Sequence, residues 1–461
     1  MSSGLVRPGD LFAAAPGRAA HGAQFAGDAL AAGAVAVLTD AAGAAMIQPG
    51  VPLLIVDDVR EHVGPIASQV YGDPSRRLAL LGVTGTSGKT TTTFFVHAGL
   101  HASGRTSGLI GTVETRIGVD AVKTGFTTPE APELQALLAV MHEQGASDAT
   151  MEVSSHALAM GRVGGCSFAV AAFTNLSEDH LDFHADMDDY FAAKARLFDG
   201  RANTEIVVVD DEWGRRLVRP TTITVSAAGR EATWTARDVE ADATGRLRFV
   251  VDGPVGELLA GCAVPGRHNV TNVLLALAIL HEADVPAEVA VSAIATATVP
   301  GRMERVDAGQ AFLAVVDYSH KPAAVAGALA ALRPLTRGRL IIVLGCGGDR
   351  DRAKRPVMGE IAARQADLLI VTDDNPRSED PAAIRRAMLD GAEAVPPAER
   401  AEVREVGDRA EAIAAAVTAA ADHDTVLIAG KGHEPGQEIG GVVYPFDDRV
   451  VLRSALERTL S

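Results

Sequence analysis

The stretch LLGVTGTSGKTTTT, residues 80–93, joins an apolar run to a helix-forming run through a glycine-rich turn that carries Lys89 and Thr90. Such a turn points backbone N–H groups at phosphate oxygens, and the helix behind it adds its positive dipole end. Lys89 supplies a point charge for β- and γ-phosphates, and the Thr90 hydroxyl can hold Mg²⁺. The general spacing GxxxxGK[ST] would need glycine at Val83, whereas the glycines here stand at 82 and 85. A ligand-free strand-to-helix turn would explain the glycines but not a lysine and four threonines at one helix start. The stretch predicts an ATP-binding loop of a restricted type.

A chain of 461 residues exceeds one typical core and suggests about three domains. Lys and Arg number 42 against 59 Asp and Glu, a net charge of −17, which disfavours a nucleic-acid-binding surface. Cys166, Cys262 and Cys346 are odd in number and widely spaced, as expected of reduced packing residues rather than a disulfide frame. No signal-peptide core opens the chain and no apolar run reaches about 18 residues, so a soluble, cytoplasmic protein without membrane insertion is expected.

Outward from the loop, the strand-like runs LALLGV, SGLIGTV, ATMEV, AVAAFTN and EIVVVD alternate with helical patterns at 132–144 and 187–198. That alternation predicts an α/β fold with a doubly wound parallel sheet. Upstream, VAVLT (35–39) and PLLIV (52–56) with a helical stretch at 25–32 predict a small α/β unit, and GDPSRR at 72–77 its exit linker. After residue 221 the pattern turns β-rich, then helical at 268–282. From about residue 300 FLAVVDY, LIIVLGC, LLIVTD and TVLIAG alternate with helices, predicting a second, Rossmann-like sheet. DYSHKP, GCGGDRD, DDNPR and GKGHE each follow one of those strands and are expected to share its carboxyl rim. The expected domains are 1–75, 76–299 and 300–461.

Glu152 ends one predicted strand, and Asn175, Asp179 and His180 follow another. Alone they read as loop residues; beside a phosphate loop a carboxylate and an imidazole among them read as metal ligands at a γ-phosphate. Lys194 sits on a helix with Tyr190, Phe191, Leu197 and Phe198, where spacing alone makes it a snorkelling surface lysine.

Together and in this order, GTSGKTT, TTPE, MEVSSHAL, FTNLSEDHLDFH, YFAAKARLF, PGRME, GCGGDRDRAKRP, DDNPR and GKGHE resemble the Mur ligase family, in its diaminopimelate-adding branch. The resemblance runs from PGDLF at Pro8 to Glu434. It implies three domains: a UDP-sugar-binding α/β domain, a central ATPase domain and a Rossmann-like amino-acid-binding domain. It implies an ATP-dependent, ADP-forming ligase that joins meso-2,6-diaminopimelate to UDP-N-acetylmuramoyl-L-alanyl-D-glutamate through an acyl phosphate. That reaction belongs to peptidoglycan precursor synthesis, and so to cell-wall growth, shape and division. By the same resemblance Lys89, Glu152, His180 and Lys194 are catalytic, with two Mg²⁺ held through Thr90, Glu152, His180 and Lys194. Lys194 matches the family's carbamylated lysine, whose CO₂-derived group turns a cation into a carboxylate analogue.

The resemblance gives ATP the loop Gly85, Thr86, Ser87, Gly88, Lys89, Thr90 and Thr91, with Asn272, Arg302, Asp317 and His320. It gives the UDP-linked dipeptide Ser3, Arg18, Thr127, Thr128, Ser154 and Arg162. Diaminopimelate falls to Arg350, Asp374, Asn375, Pro376, Arg377, Gly430 and Glu434. A forked guanidinium at Arg377 pairs with the second carboxylate of diaminopimelate, which lysine lacks. Rivals are a lysine-adding or LL-diaminopimelate-adding ligase, a folylpolyglutamate synthase-like enzyme, or a non-catalytic nucleotide and muropeptide sensor. A monomer is expected. The chain begins close to PGDLF, so the upstream strand of many relatives is expected to be absent.

Overall fold

The structure, a computed structural model, describes residues 1–461 apart from 18, 19, 119, 123, 243 and 461. It divides into two compact units, one of Met1–Thr235 with Leu274–Ala290, the other of Ala236–Val273 with Val291–Ser461.

The first unit carries two sheets. A small parallel sheet runs Leu11–Ala14, Ala36–Thr39, Leu53–Ile55, and the helix predicted at 25–32 appears as a 3-10 turn, Gly22–Phe25, running into Ala26–Ala31. The predicted linker is a short 3-10 turn, Pro74–Arg76. The larger sheet orders Ile223–Ser226, Ala202–Val208, Phe168–Phe173, Ala79–Thr84, Asp148–Glu152 and Ser107–Ile110, all parallel. Such strands are covered on both faces, which is why they read as unbroken apolar runs. An antiparallel extension, Thr115–Ile117 and Asp120–Val122, escaped the sequence reading because three-residue polar strands carry no apolar run. The phosphate-loop strand Ala79–Thr84 lies in the middle of the sheet, between Phe168–Phe173 and Asp148–Glu152. Helix Lys89–Ala102 leaves its carboxyl end, buried from Thr90 to Val96.

In the second unit a hairpin, Leu247–Gly253 with Gly256–Cys262, supplies the β-rich tract. The Rossmann-like sheet orders Leu313–Asp317, Thr425–Ala429, Leu340–Leu344, Leu368–Val371 and Glu402–Glu405 in parallel, with Glu304–Arg305 antiparallel at one edge. The register aligns Asp317, Ala429, Leu344 and Val371, so the four chemistry-bearing loops leave one rim at one level, as expected. Glu402–Glu405 was not legible: EVRE is an edge strand whose charges discourage further pairing. All three cysteines are free and buried.

Candidate active site

The phosphate loop is shaped by two glycines and one asparagine. Gly85 has φ +140° and Gly88, the helix N-cap, φ +89°, a region L side chains rarely enter. A Cβ on Gly85 would collide with the Thr174 hydroxyl. Asn175, two residues past its strand, accepts from Thr86 N at 2.8 Å and from Ser87 N at 3.0 Å, and donates to Ser87 O at 3.0 Å. Those two amides are therefore turned to Asn175 rather than outward. An anion at this end meets the first helical turn instead, whose N–H groups at 89–91 have no acceptor within the helix.

Strand pairing brings Glu152 to the loop: its register partner is Val83. Glu152 is 1% exposed, and its Oε1 accepts from the Thr90 hydroxyl at 3.0 Å and Thr112 N at 2.8 Å. Its Oε2 accepts from the Thr112 hydroxyl at 3.1 Å. Thr112, absent from the sequence reading, thus fixes both carboxylate oxygens; an isolated threonine in a loop carries no sequence signal for that role. The Thr90 hydroxyl and the Glu152 carboxylate form a hard oxygen pair of the kind Mg²⁺ takes beside phosphates, since that ion keeps several waters and needs only one or two carboxylates. Among the described residues no group of three His, Cys, Asp or Glu forms a cage for a metal.

Lys194 is not the snorkelling lysine its spacing suggests. It is 1% exposed, and its Nζ donates to Gly85 O at 2.8 Å over the Tyr190 ring. Lys89 Nζ donates to Gly85 O and Thr86 O, both at 2.9 Å. The Tyr190 hydroxyl meets Thr86 Oγ1 at 3.1 Å, and burial pushes its phenol pKa up, keeping the proton on. His180 has φ +55°, its Nε2 lies 3.3 Å from Asp179 Oδ2, and its ring stands edge-on to His156 at 4.7 Å. Burial first, and then neighbouring His184, lower the pKa of His156.

Behind Glu152 the predicted dipeptide contacts form one run. Thr127 Oγ1 meets Thr112 Oγ1 at 3.0 Å, and the Thr128 hydroxyl donates to Glu152 O at 2.8 Å. Ser154 N donates to Thr128 Oγ1, while the Ser154 hydroxyl caps the short helix Ser155–Ala159. Arg162 donates to Thr128 O at 3.1 Å, pairs with Glu130 at 2.9 Å and covers the Phe126 ring. Ser3 sits in a half-exposed turn, Ser3–Leu5, of the same unit; Arg18 lies outside the described residues.

The second unit gathers the remaining predicted residues. Asn375 donates to Glu434 Oε2 at 2.9 Å, Arg377 (φ +54°) donates to Gly348 O at 2.7 Å, and its Nε lies 3.3 Å from Glu438 Oε2. Asp374 and Pro376 are buried beside them, and Gly430 at φ +118° brings its backbone against Asp374, where a Cβ would come within 2.5 Å of a carboxylate oxygen. Arg350 is exposed at the same rim. Arg302 lies over the Tyr318 ring at 4.6 Å. The Asp317 carboxylate is committed locally, to Met303 N at 2.8 Å and to the Ser319 hydroxyl. His320 meets Tyr318 O at 2.7 Å, and burial, with Lys321 beside it, lowers its pKa to about 3. Asn272 is buried on Asn269 at 2.8 Å. Lys431, Tyr318 and Glu438 were not singled out from the sequence, although Lys431 stands inside GKGHE.

Sequence patterns described as Mur ligase family, catalytic domain; Mur ligase middle domain; and Mur ligase, glutamate ligase domain match residues 1–71, 83–280 and 301–432. The chain is 54% identical to the UDP-N-acetylmuramoyl-L-alanyl-D-glutamate–2,6-diaminopimelate ligase of Streptomyces avermitilis, over 99% of this chain and 92% of that one. It is 44% identical to the UDP-N-acetylmuramyl-tripeptide synthetase of Leifsonia xyli, over 99% of this chain and 91% of that one. A solved structure of a UDP-N-acetylmuramoyl-L-alanyl-D-glutamate–2,6-diaminopimelate ligase, 32% identical, superposes with a TM-score of 0.71 over 100% of this chain and 94% of that one. With its phosphate loop, its buried carboxylate and lysine, and these relatives over nearly its whole length, the chain belongs to the Mur ligase family of ATP-dependent, ADP-forming ligases.

Proposed function

We propose that this chain adds meso-2,6-diaminopimelate to UDP-N-acetylmuramoyl-L-alanyl-D-glutamate, an amide-forming step of peptidoglycan precursor synthesis in the cytoplasm. The observation that carries the choice of amino acid is the Arg377 guanidinium, tethered to Gly348 O at the same rim as Asn375 and Glu434. The 54% identity to a diaminopimelate ligase over 99% of this chain supports the same choice. Lysine has no second carboxylate and so forgoes the charge-assisted, two-point contact that a guanidinium offers diaminopimelate.

The domains run 1–75 for the UDP-sugar, 76–299 for ATP and 300–461 for the amino acid, and the enzyme acts as a monomer. Lys89 holds the β/γ-phosphates and helix 89–102 faces them with its positive end. Thr90, Glu152 and His180, with Lys194 as its carbamate, would hold Mg²⁺, which would supply charge neutralisation at the γ-phosphate. Arg162, Thr127, Thr128 and Ser154 orient the dipeptide so that its free carboxylate, not water, meets the γ-phosphate. Asn272, Arg302, Asp317 and His320 serve the nucleotide, and Ser3 and Arg18 the uridine. Glu434, Asp374, Gly430 and Arg350 complete the amino-acid site.

Incubating the protein with ATP, Mg²⁺, the UDP-linked dipeptide and either diaminopimelate or lysine tests this reading. Amide product with diaminopimelate and little with lysine is expected; product with lysine alone would overturn the role of Arg377.

A further inference from the structure

In the second unit, Lys431 is 0% exposed, a rare state for a lysine and costly unless its charge is met. Its Nζ donates to Asn375 Oδ1 at 3.1 Å and lies 3.2 Å from Glu434 Oε2. Asn375 closes the triangle by donating its amide to the same Oε2 at 2.9 Å. The other oxygen of Glu434 accepts from the Tyr318 hydroxyl at 3.3 Å. One carboxylate is therefore gripped by donors from the loops after three strands of one sheet, while its side chain remains 33% exposed. Burial raises the Tyr318 phenol pKa, so that group stays a donor at neutral pH.

We infer that Lys431 is a positioning residue for the amino-acid substrate: with Tyr318 it holds Glu434 in one orientation and ties that carboxylate to Asn375. A carboxylate fixed this way presents its open side to the ammonium of the incoming amino acid without first losing rotamer freedom. Because Lys431 already offsets the Glu434 charge, the ammonium contact selects by geometry more than by bulk attraction. The inference rests on the proposed role of this rim in binding diaminopimelate.

The test is steady-state kinetics on Lys431→Met and Tyr318→Phe in the full-length protein, varying each substrate in turn. Lys431→Met is expected to raise KM for diaminopimelate by about tenfold or more, the loss of a charge-assisted hydrogen bond. KM for ATP and for the UDP-linked dipeptide should stay within about twofold. Tyr318→Phe, which removes one oxygen and no volume of consequence, should raise the same KM by a few-fold, and it serves if Lys431→Met does not fold. In a double-mutant cycle, Lys431→Met should add little on top of Glu434→Gln. An unchanged diaminopimelate KM in the variants, equal rises for all three substrates, or fully multiplicative effects with Glu434→Gln would overturn the inference. Failure of the unaltered protein to use any amino acid would instead overturn the proposed function.

Discussion

Lys89 and Lys194 donate to the same acceptor, the carbonyl of Gly85, at 2.9 and 2.8 Å. Two ammonium groups converging on one oxygen repel each other, and one is buried. A carbamate on Lys194, as proposed, would remove that repulsion and leave a carboxylate analogue beside the phosphate loop. With an ordinary lysine pKa of about 10.4, the amine must first shed its proton. Lys194→Ala is expected to lower kcat by about a hundredfold or more while nucleotide binding persists. In the unaltered enzyme, activity should rise with bicarbonate and intact-protein mass should show one added CO₂. Unchanged turnover in Lys194→Ala would remove the carbamate from the account.

Glu152→Gln keeps the shape of a side chain that is packed against Thr90 and Thr112, but removes its charge. The substitution should raise the Mg²⁺ concentration needed for half-maximal activity and cut kcat by about a hundredfold, with the melting temperature little changed. A magnesium titration of both proteins reads this directly. Equal magnesium dependence would contradict the pairing of Thr90 and Glu152 as an ion site.

Arg377→Lys retains charge but loses the fork that a carboxylate engages at two points. Diaminopimelate KM is expected to rise by about tenfold to a hundredfold, ATP KM to hold, and the preference over lysine to shrink. Competition between the two amino acids in one reaction mixture, with products separated by mass, measures the change in preference.

The pH dependence of stability has a definite sign. Burial, with Arg116 and His101 nearby, lowers the His97 pKa to about 4, and burial with Lys321 nearby lowers that of His320 to about 3. Both rings are held neutral in the folded chain, while the unfolded chain takes up their protons near pH 6.5. Their contributions are thus complete above about pH 6.5 and fade as pH falls towards 4 for His97 and 3 for His320. His97→Asn should flatten the loss between about pH 6.5 and 4 by roughly 1–3 kcal/mol in chemical unfolding. Glu379, held down to about 2 mainly by Arg355, joins the loss only below about pH 4.5.

The sequence made the sheet strands legible where they are buried on both faces, because LIIVL, LLIV and TVLIA carry no polar interruption. It could not reveal Glu402–Glu405 or Asp120–Val122, which are short, polar and at or beyond the sheet margin. At the site, residues that act through charge or a forced glycine were visible in the string. Residues that act by holding another residue were not: Thr112 under Glu152 depends on pairing across distant strands, Asn175 reads as a loop residue with no sign of its hold on the loop amides, and Lys431 meets Glu434 three residues on within one loop. Lys194 is the intermediate case, since its helix spacing points to solvent while the fold turns it onto Gly85.

In the proposed reaction the γ-phosphate of ATP passes to a substrate carboxylate rather than to water. Labelling both D-glutamyl carboxylates of the UDP-linked dipeptide with heavy oxygen and recovering the released phosphate tests this. One labelled oxygen in the phosphate is expected for each amide formed; phosphate carrying only solvent oxygen would mean that water, not the carboxylate, takes the phosphoryl group.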